Sequence, residues 1–586
     1  MRTYIHLKEF LLRHKWKYIW GVIVLIAVDV LQLITPRLLG QITDMLGDSS
    51  LSMKDIYKYI IYILLIASGV AILRYTWRML VMGTSREIEY WLRSKFFAHL
   101  ELLSPSFFNN RKTGDLMAHA TNDINAVRMA FGPGVVMITD SIFLTASVIT
   151  ILFVTIDIRL TLIALLPLPV IAAMMIIFSK KVMEKNKEIQ EAFSHLTDKV
   201  QESISGIRVV KSFVQEKKEI LKFAEANKEN VDKNMSFIKM WGAMFPMVTF
   251  ISLLSFLITL GVGGGMVIDN RISLGQFVSF IAYLGLLTWP MMAVGWVVNI
   301  LQRGAASMVR INEILETEPD ICDDENTDNT ITLDSIEACV EFKGLTFTYP
   351  NSKIPALKDI NIKLEKGKTL AVVGKTGSGK TTLVNLLLRL YNAPKGELTI
   401  GNKSIDIIPL KVLRDCIGYV PQDNYLFSTS IKDNIAFSNP SLSMEKIEEA
   451  AKIAQVYDNI IEFPDKFDTI LGERGVTLSG GQKQRVSIAR AIAKDPKILI
   501  LDDSLSAVDT KTEEKILEDL KKVMNNRTSI IIAHRISTIK DADEIVVLDE
   551  GRIIERGTHE ELVAINGLYN SIYQKQLLEE KIENEI

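Results

Sequence analysis

The stretch Ala371–Thr382, AVVGKTGSGKTT, decides how the second half of the chain folds. Ala371, Val372 and Val373 are small or β-branched apolar residues, and Gly374, Lys375, Thr376, Gly377, Ser378 and Gly379 lead from them into Lys380, Thr381 and Thr382. That order predicts a buried strand, a glycine-rich loop and a helix start. Backbone N–H groups and a helix N-terminus then converge on one point, the geometry that favours phosphate oxygens. Lys380 is placed to reach terminal phosphate oxygens, and the Thr381 hydroxyl to ligate a divalent cation.

Downstream residues complete a nucleotide site around this loop. From about Glu337 short β-rich runs alternate with amphipathic helical stretches, which predicts a layered α/β domain. Ile498–Leu501 reads ILIL, a buried strand that delivers Asp502 where a metal-side carboxylate is needed. Asp503 follows, at the position where hydrolysis wants a base or a water-orienting group. Between these elements lies Leu478, Ser479, Gly480, Gly481 and Gln482, ahead of the helical run Gln484–Ala493. Serine and glycine N–H groups at a helix N-terminus make a second anion site, so two such surfaces can clamp one nucleoside triphosphate.

Upstream the chain is of another kind. Mean hydropathy is +0.20 although 23% of the 586 residues are charged, so apolar and charged residues are segregated. Apolar runs recur at 16–39, 56–81, 129–156, 160–178, 240–268 and 277–300. A spanning helix needs about 20 largely apolar residues, so six spans are expected. Arg2, Lys8, Arg13 and Lys15 crowd the start of the first, and segments 83–128 and 180–238 are rich in Lys and Arg, whereas 41–54 has only Lys54. By the positive-inside rule both termini are expected in the cytoplasm of a cell with a multi-pass membrane protein. Helix formers continue through Arg86–Leu103 and Lys180–Ala224, so the spans should extend into the cytoplasm and carry tips near 106–113 and 203–206 for docking.

Ionisable residues inside the spans, Asp29, Arg74, Arg78 and Asp140, are costly and should face protein or water. Arg74 and Arg78 are expected to pair with the aspartates, or Asp140 to serve as counter-charge for a cationic ligand. Phe245, Phe250, Phe256, Phe280, Tyr283, Trp289 and Trp296 are candidates to line an adaptable cavity; of these, Asp140, Phe245, Tyr283, Trp289 and Trp296 are the substrate-cavity set. A net charge of −2 gives no electrostatic reason to expect nucleic acid. Cys322, Cys339 and Cys416 have no metal or disulfide spacing and read as reduced cytosolic thiols. The basic N-terminal start leads into an apolar run too long for a cleavable signal.

Together these motifs closely resemble the ATP-binding cassette (ABC) family, and the six spans preceding the cassette resemble its half-transporters of the type IV exporter kind. The fold implied is a six-helix all-α transmembrane domain, its helices extended into the cytoplasm, fused to an α/β P-loop nucleotide-binding domain. Its expected boundaries are 1–312 for the membrane domain with two coupling regions, 313–336 for an acidic linker, 337–576 for the ATP-binding domain and 577–586 for a charged tail. The resemblance implies ATP and Mg²⁺ as ligands, with Gly374–Thr381 as the Walker A loop, Gln422 the Q-loop, Asp502 the Walker B aspartate and Ser479–Gly481 the core of the signature. It likewise implies that Tyr349 stacks adenine, that Asp509 belongs to the D-loop, that His534 contacts the γ-phosphate, and that Glu473 and Arg474 form the X-loop. Thr381, Gln422 and Asp502 are then the metal-side residues. FFNNRKTGDLMAHATND from Phe107 resembles the first coupling helix and its flank, and GIRVVKSF from Gly206 the second.

One departure bears on function. The family has glutamate after the Walker B aspartate, and this chain has Asp503. Aspartate is one methylene shorter, ill placed to hold a water within the hydrogen-bond reach of about 2.6–3.2 Å that base catalysis needs. ATP is expected to bind at this site and to turn over slowly. In the family two cassettes sandwich two nucleotides head to tail, so an intact LSGGQ beside a weakened Walker B implies a partner half-transporter that has the glutamate. The pattern resembles bacterial heterodimeric multidrug exporters of the cell membrane, exporting small amphipathic substrates from a lipid setting. A homodimeric lipid or peptide exporter, and an ATP-gated channel or sensor, are the alternatives at this point.

Overall fold

The computed structural model describes residues 2–47, 53–472, 475, 478–505, 510–525, 527–533 and 535–585. Asp509, His534, Glu473 and Arg474 lie outside the described residues. The chain divides into two compact units, one of residues 1–101 and 113–317, the other of residues 102–112 and 318–586.

Among the described residues, six helices of the first unit are long and apolar enough to cross a membrane: α1 (Tyr4–Leu46), α2 (Met53–Leu100), α3 (Thr113–Thr155), α4 (Ile158–Ser205), α5 (Glu216–Ile268) and α6 (Leu274–Leu315). At 1.5 Å per residue the 48 residues of α2 reach about 70 Å, more than twice the hydrocarbon thickness of about 30 Å. The spans therefore run on as the polar, helix-forming stretches seen in the sequence. Ile60, Ile61, Leu64, Leu65 and Ile72 on α2 are exposed, as a surface solvated by lipid requires. The core of this unit gathers Leu33, Val148, Leu152, Leu160, Ile171, Phe280 and Leu287 from α1, α3, α4 and α6.

Between helices that are equally apolar, hydrogen bonds and close backbone approach fix the packing. The Ser279 hydroxyl donates to the Pro36 carbonyl at 3.0 Å and the Tyr283 hydroxyl to the Leu33 carbonyl at 2.7 Å, joining α6 to α1. Two turns outward, Gly40 and Gly275 let the same helices touch: a Cβ on either would run into the other's carbonyl oxygen.

The second unit holds two sheets. A four-stranded antiparallel sheet has the order β2-β1-β4-β5, formed from β1 (Val340–Phe347), β2 (Leu357–Leu364), β4 (Leu398–Ile400) and β5 (Lys403–Ser404). A six-stranded sheet has the order β10-β9-β3-β8-β7-β6, from β3 (Thr369–Gly374), β6 (Ile417–Val420), β7 (Ile498–Asp502), β8 (Thr528–Ile532), β9 (Glu544–Asp549) and β10 (Arg552–Gly557). In it β3 runs parallel to both β8 and β9, and β7 runs parallel to β6 and β8. The interior strands β3 and β7 are buried almost throughout, which is why they read as continuous apolar runs.

Three expected boundaries meet a different arrangement. The acidic stretch 313–336 does not hang free: its first residues finish α6, and Ile321, Ile331 and Ile336 are buried, the last two in the core formed by β1 and β2. Lys497 Nζ donates to the Leu333 and Ile336 carbonyls at 2.7 and 3.0 Å and straps the same segment down. Residues 577–586 are no separate tail, because the helix Leu568–Glu585 runs into them. Finally, residues 102–112, which hold most of the docking tip expected near 106–113, group with the second unit.

Candidate functional site

The loop after β3 ends at Gly379, which has φ +105° and opens the helix α7 (Lys380–Leu387). An L side chain is strained there, and a Cβ would also lie 2.8 Å from the Ala356 carbonyl oxygen. Lys380 is 7% exposed and donates from Nζ to the Gly374 carbonyl at 2.7 Å and the Lys375 carbonyl at 2.9 Å. Its side chain thus folds back over the glycine loop, where a phosphate group would replace carbonyl partners with charged ones. Burial lowers the Lys380 pKa, and the nearby charges of Asp502 and Asp503 oppose that shift.

Asp502 ends β7 and is 1% exposed. Burial raises its pKa; hydrogen bonds from the Thr381 and Tyr419 hydroxyls and the charge of Lys380 act the other way. Its Oδ2 is buried without a hydrogen-bond partner among the described residues. A carboxylate oxygen left unsatisfied in so dry a place, next to a threonine hydroxyl, fits a hard divalent cation with oxygen ligands. Thr381 and Asp502 would hold that ion, which when bound neutralises phosphate charge. Gln422 stands in the loop after β6, the strand beside β7, and is exposed.

Asp503 follows at φ +46°, with its N–H donating to the Ile532 carbonyl at 2.8 Å. It shares a cavity of about 80 Å³ with Glu513, Arg535 and Thr538. Glu513, on α9 (Thr510–Met524), is 2% exposed, ion-paired to Arg535, and accepts from the Thr538 hydroxyl at 2.8 Å. The ordering of this cluster next to the hydrolysis position carries no motif that sequence reading could have found.

The signature segment makes the start of α8 (Gly480–Ala493). Ser479 is its N-cap and Gln482 its reciprocal partner: the Ser479 N–H donates to Gln482 Oε1 at 2.9 Å, and the Gln482 N–H to Ser479 Oγ at 3.3 Å. The spacing Ser-x-x-Gln was itself a capping-box signal in the sequence. Leu478 is buried and anchors the turn, while Gly480 is exposed at its tip and Gly481 half-buried.

Tyr349 follows β1, and its hydroxyl lies 3.0 Å from Thr382 Oγ1 at the head of α7. Its ring meets Tyr391 edge-on at 5.0 Å, a neighbour the sequence did not single out. Tyr391 in turn accepts a 2.9 Å hydrogen bond from Asn109 Nδ2 on the short helix Pro105–Asn109, and Asn351 Nδ2 donates to Asn110 Oδ1 at 2.9 Å. The first coupling segment is thus bonded to the residues around Tyr349. The second, near Gly206, forms the short helix Ile207–Ser212.

In the membrane unit the five substrate-cavity candidates separate. Trp296 lines a cavity of about 700 Å³, with Trp241 and several methionines. Tyr283 borders another of about 440 Å³ but is 3% exposed and spends its hydroxyl on α1. Phe245 packs edge-on to Trp241 at 5.5 Å, and Trp289 edge-on to Trp296 at 5.5 Å. Asp140 borders neither cavity; Arg74 lies within electrostatic range of both Asp140 and Asp29, while Arg78 sits over the Trp77 ring at 5.7 Å.

A bundle of six membrane-length helices on one chain with a phosphate-cradling α/β unit defines a nucleotide-driven membrane transport protein. Comparison with known proteins makes this specific. Residues 18–291 match the ABC transporter transmembrane region, and residues 357–506 match the ABC transporter family. A probable multidrug resistance ABC transporter ATP-binding/permease protein of Bacillus subtilis, YheI, is 39% identical, covering 96% of this chain and 95% of its own. The multidrug resistance-like ATP-binding protein MdlA of Escherichia coli is 37% identical over 100% of this chain and 98% of its own. Among solved structures, a bacterial Atm1-family ABC exporter with ATP bound superposes with TM-score 0.78 at 25% identity, covering 97% of this chain and 99% of that one. The chain belongs to the ABC transporter family: it is an ATP-driven exporter, multi-pass in the membrane, with a cytoplasmic ATP-binding domain that couples ATP hydrolysis to transport.

Proposed function

We propose that this chain is one half of a heterodimeric exporter of amphipathic compounds, and that its own nucleotide site holds ATP while its signature completes the partner's working site. The observation that carries this reading is the contrast between Asp503 and the signature. The loop, Lys380, Thr381 and Asp502 retain what ATP and Mg²⁺ need, with Gln422 on the metal side and Tyr349 against adenine. Asp503 is a methylene too short to orient the attacking water. Ser479, Gly480 and Gly481, by contrast, sit at an intact capped helix start whose positive end suits a γ-phosphate presented by another subunit. His534 and Asp509 complete the assignment as the γ-phosphate contact and the D-loop residue. Both termini face the cytoplasm in this reading.

The names of the relatives, both of the multidrug-resistance type, support amphipathic substrates, as do the methionine and tryptophan side chains lining the 700 Å³ cavity, a size within the range of small-molecule sites. Co-purification from native membranes tests the assembly. A second half-transporter with glutamate after its Walker B aspartate should accompany this chain in equal amount; recovery of this chain as a self-paired dimer with full ATPase activity contradicts the reading.

A further inference from the structure

Two helices place the cations of the 700 Å³ cavity at the same end. Along α6, Arg303 follows Trp296 by seven residues, about 10 Å at the helical rise. Along α4, Lys187 follows Met175 by twelve residues, about 18 Å. Both helices run toward the cytoplasm by the order of the spans. The cavity is therefore apolar at its membrane end, where Met175, Met244 and Trp296 stand, and cationic at its cytoplasmic end.

Among the described residues no carboxylate lines it. Of the acids on α4, Glu188 is held by Lys185 at 2.8 Å and Lys233 at 3.1 Å, whereas Glu191 stands 3.7 Å from Lys187 and offsets part of that lysine's charge, which leaves Arg303 as the principal cation. Arg303 is exposed and has no carboxylate partner among the described residues. A guanidinium held open at the mouth of a methionine- and tryptophan-lined cavity is complementary to a carboxylate, sulfonate or phosphate carried on an apolar body. It repels a cation.

We infer that the exported compounds are anionic amphiphiles, their apolar body against Trp296 and the methionines and their acidic head on Arg303, with Lys187 in support. This rests on the reading of the chain as an amphiphile exporter and gives that reading a sign of charge. It moves the charge-recognising group from Asp140, which does not border the cavity, to Arg303.

The test is ATP-dependent dye uptake by everted membrane vesicles containing this chain with its co-purifying partner. Anionic carboxyfluorescein and cationic ethidium are compared at matched concentrations. Wild-type exporter should accumulate carboxyfluorescein in preference; Arg303→Gln should raise its KM about tenfold with kcat within about twofold, and Arg303→Lys should restore KM to within about threefold. Arg303→Glu should favour ethidium. A wild-type preference for ethidium, or a carboxyfluorescein KM indifferent to Arg303→Gln, overturns the inference and leaves the exporter reading standing. Uptake of neither dye overturns both. A rate that follows the phosphatidylglycerol content of the vesicles but not Arg303 assigns the cations to lipid headgroups and also overturns it.

Discussion

Hydrolysis asks a carboxylate to hold water at a fixed distance from the γ-phosphate, and one methylene decides whether it reaches. In the proposed reading Asp503 falls short; its backbone has a positive φ and its N–H donates to the Ile532 carbonyl. Replacing Asp503 with Glu should therefore raise ATP turnover by about tenfold, a fraction of the roughly 10²–10⁴-fold that a fully positioned base contributes; an unchanged steady-state rate would tell against the geometric explanation. Residue-scale chemistry also separates the cysteines. Burial pushes the Cys416 thiol up to about 11, whereas Cys322 is exposed. Iodoacetamide at pH 8 should label Cys322 in the native protein and Cys416 only after unfolding, as peptide mapping would read. Because the unfolded thiol titrates near about 8.5, the neutral buried form stabilises the fold fully below that pH. That contribution is lost as pH rises from roughly 8.5 through 11.

At the scale of elements, legibility followed periodicity. The six spans were readable because twenty apolar residues in a row admit few other fates, and β3 and β7 because interior parallel strands are apolar on both faces. The acidic stretch 313–336 shows what composition averages hide: Ile321, Ile331 and Ile336 stand among many acids, yet two of them join a core. Which aromatic residues line a cavity was not legible either, since a span that is apolar all round does not declare its inner face. The crossing of α1 and α6 gives a prediction at this scale. Gly275→Leu forces the helices apart at Gly40 and should cost about 1–3 kcal/mol, seen as a lower Tm in nanodiscs. Gly285→Leu on the same helix meets no atom within 4 Å of its Cβ position and should leave Tm nearly unchanged.

For the whole molecule, the proposed division of labour between an intact signature and a weakened base calls for another cassette to close the cycle. The sequence carried this far because each motif is local, a few residues whose backbone geometry follows from glycine, serine and charge. Tyr391 and Glu513 escaped because their importance comes from tertiary neighbours: Tyr391 stands between Asn109 and Tyr349, and Glu513 holds Arg535 beside Asp503. Breaking the first of these links should be visible in coupling rather than folding. Tyr391→Leu removes the bond to Asn109 but keeps an apolar side chain. Basal ATPase activity should stay within about twofold while stimulation by transported substrate falls several-fold; equal loss of both would assign Tyr391 to folding alone.

The most direct test compares two substitutions in this chain within the purified exporter complex, reading steady-state ATPase activity. Ser479→Arg blocks the signature proposed to serve the partner's nucleotide, and Asp503→Asn removes the charge of the site's own short carboxylate. A drop of more than about tenfold for Ser479→Arg, with less than about twofold for Asp503→Asn, is the predicted result. Comparable losses from the two would contradict a holding site in this chain and a working site in its partner.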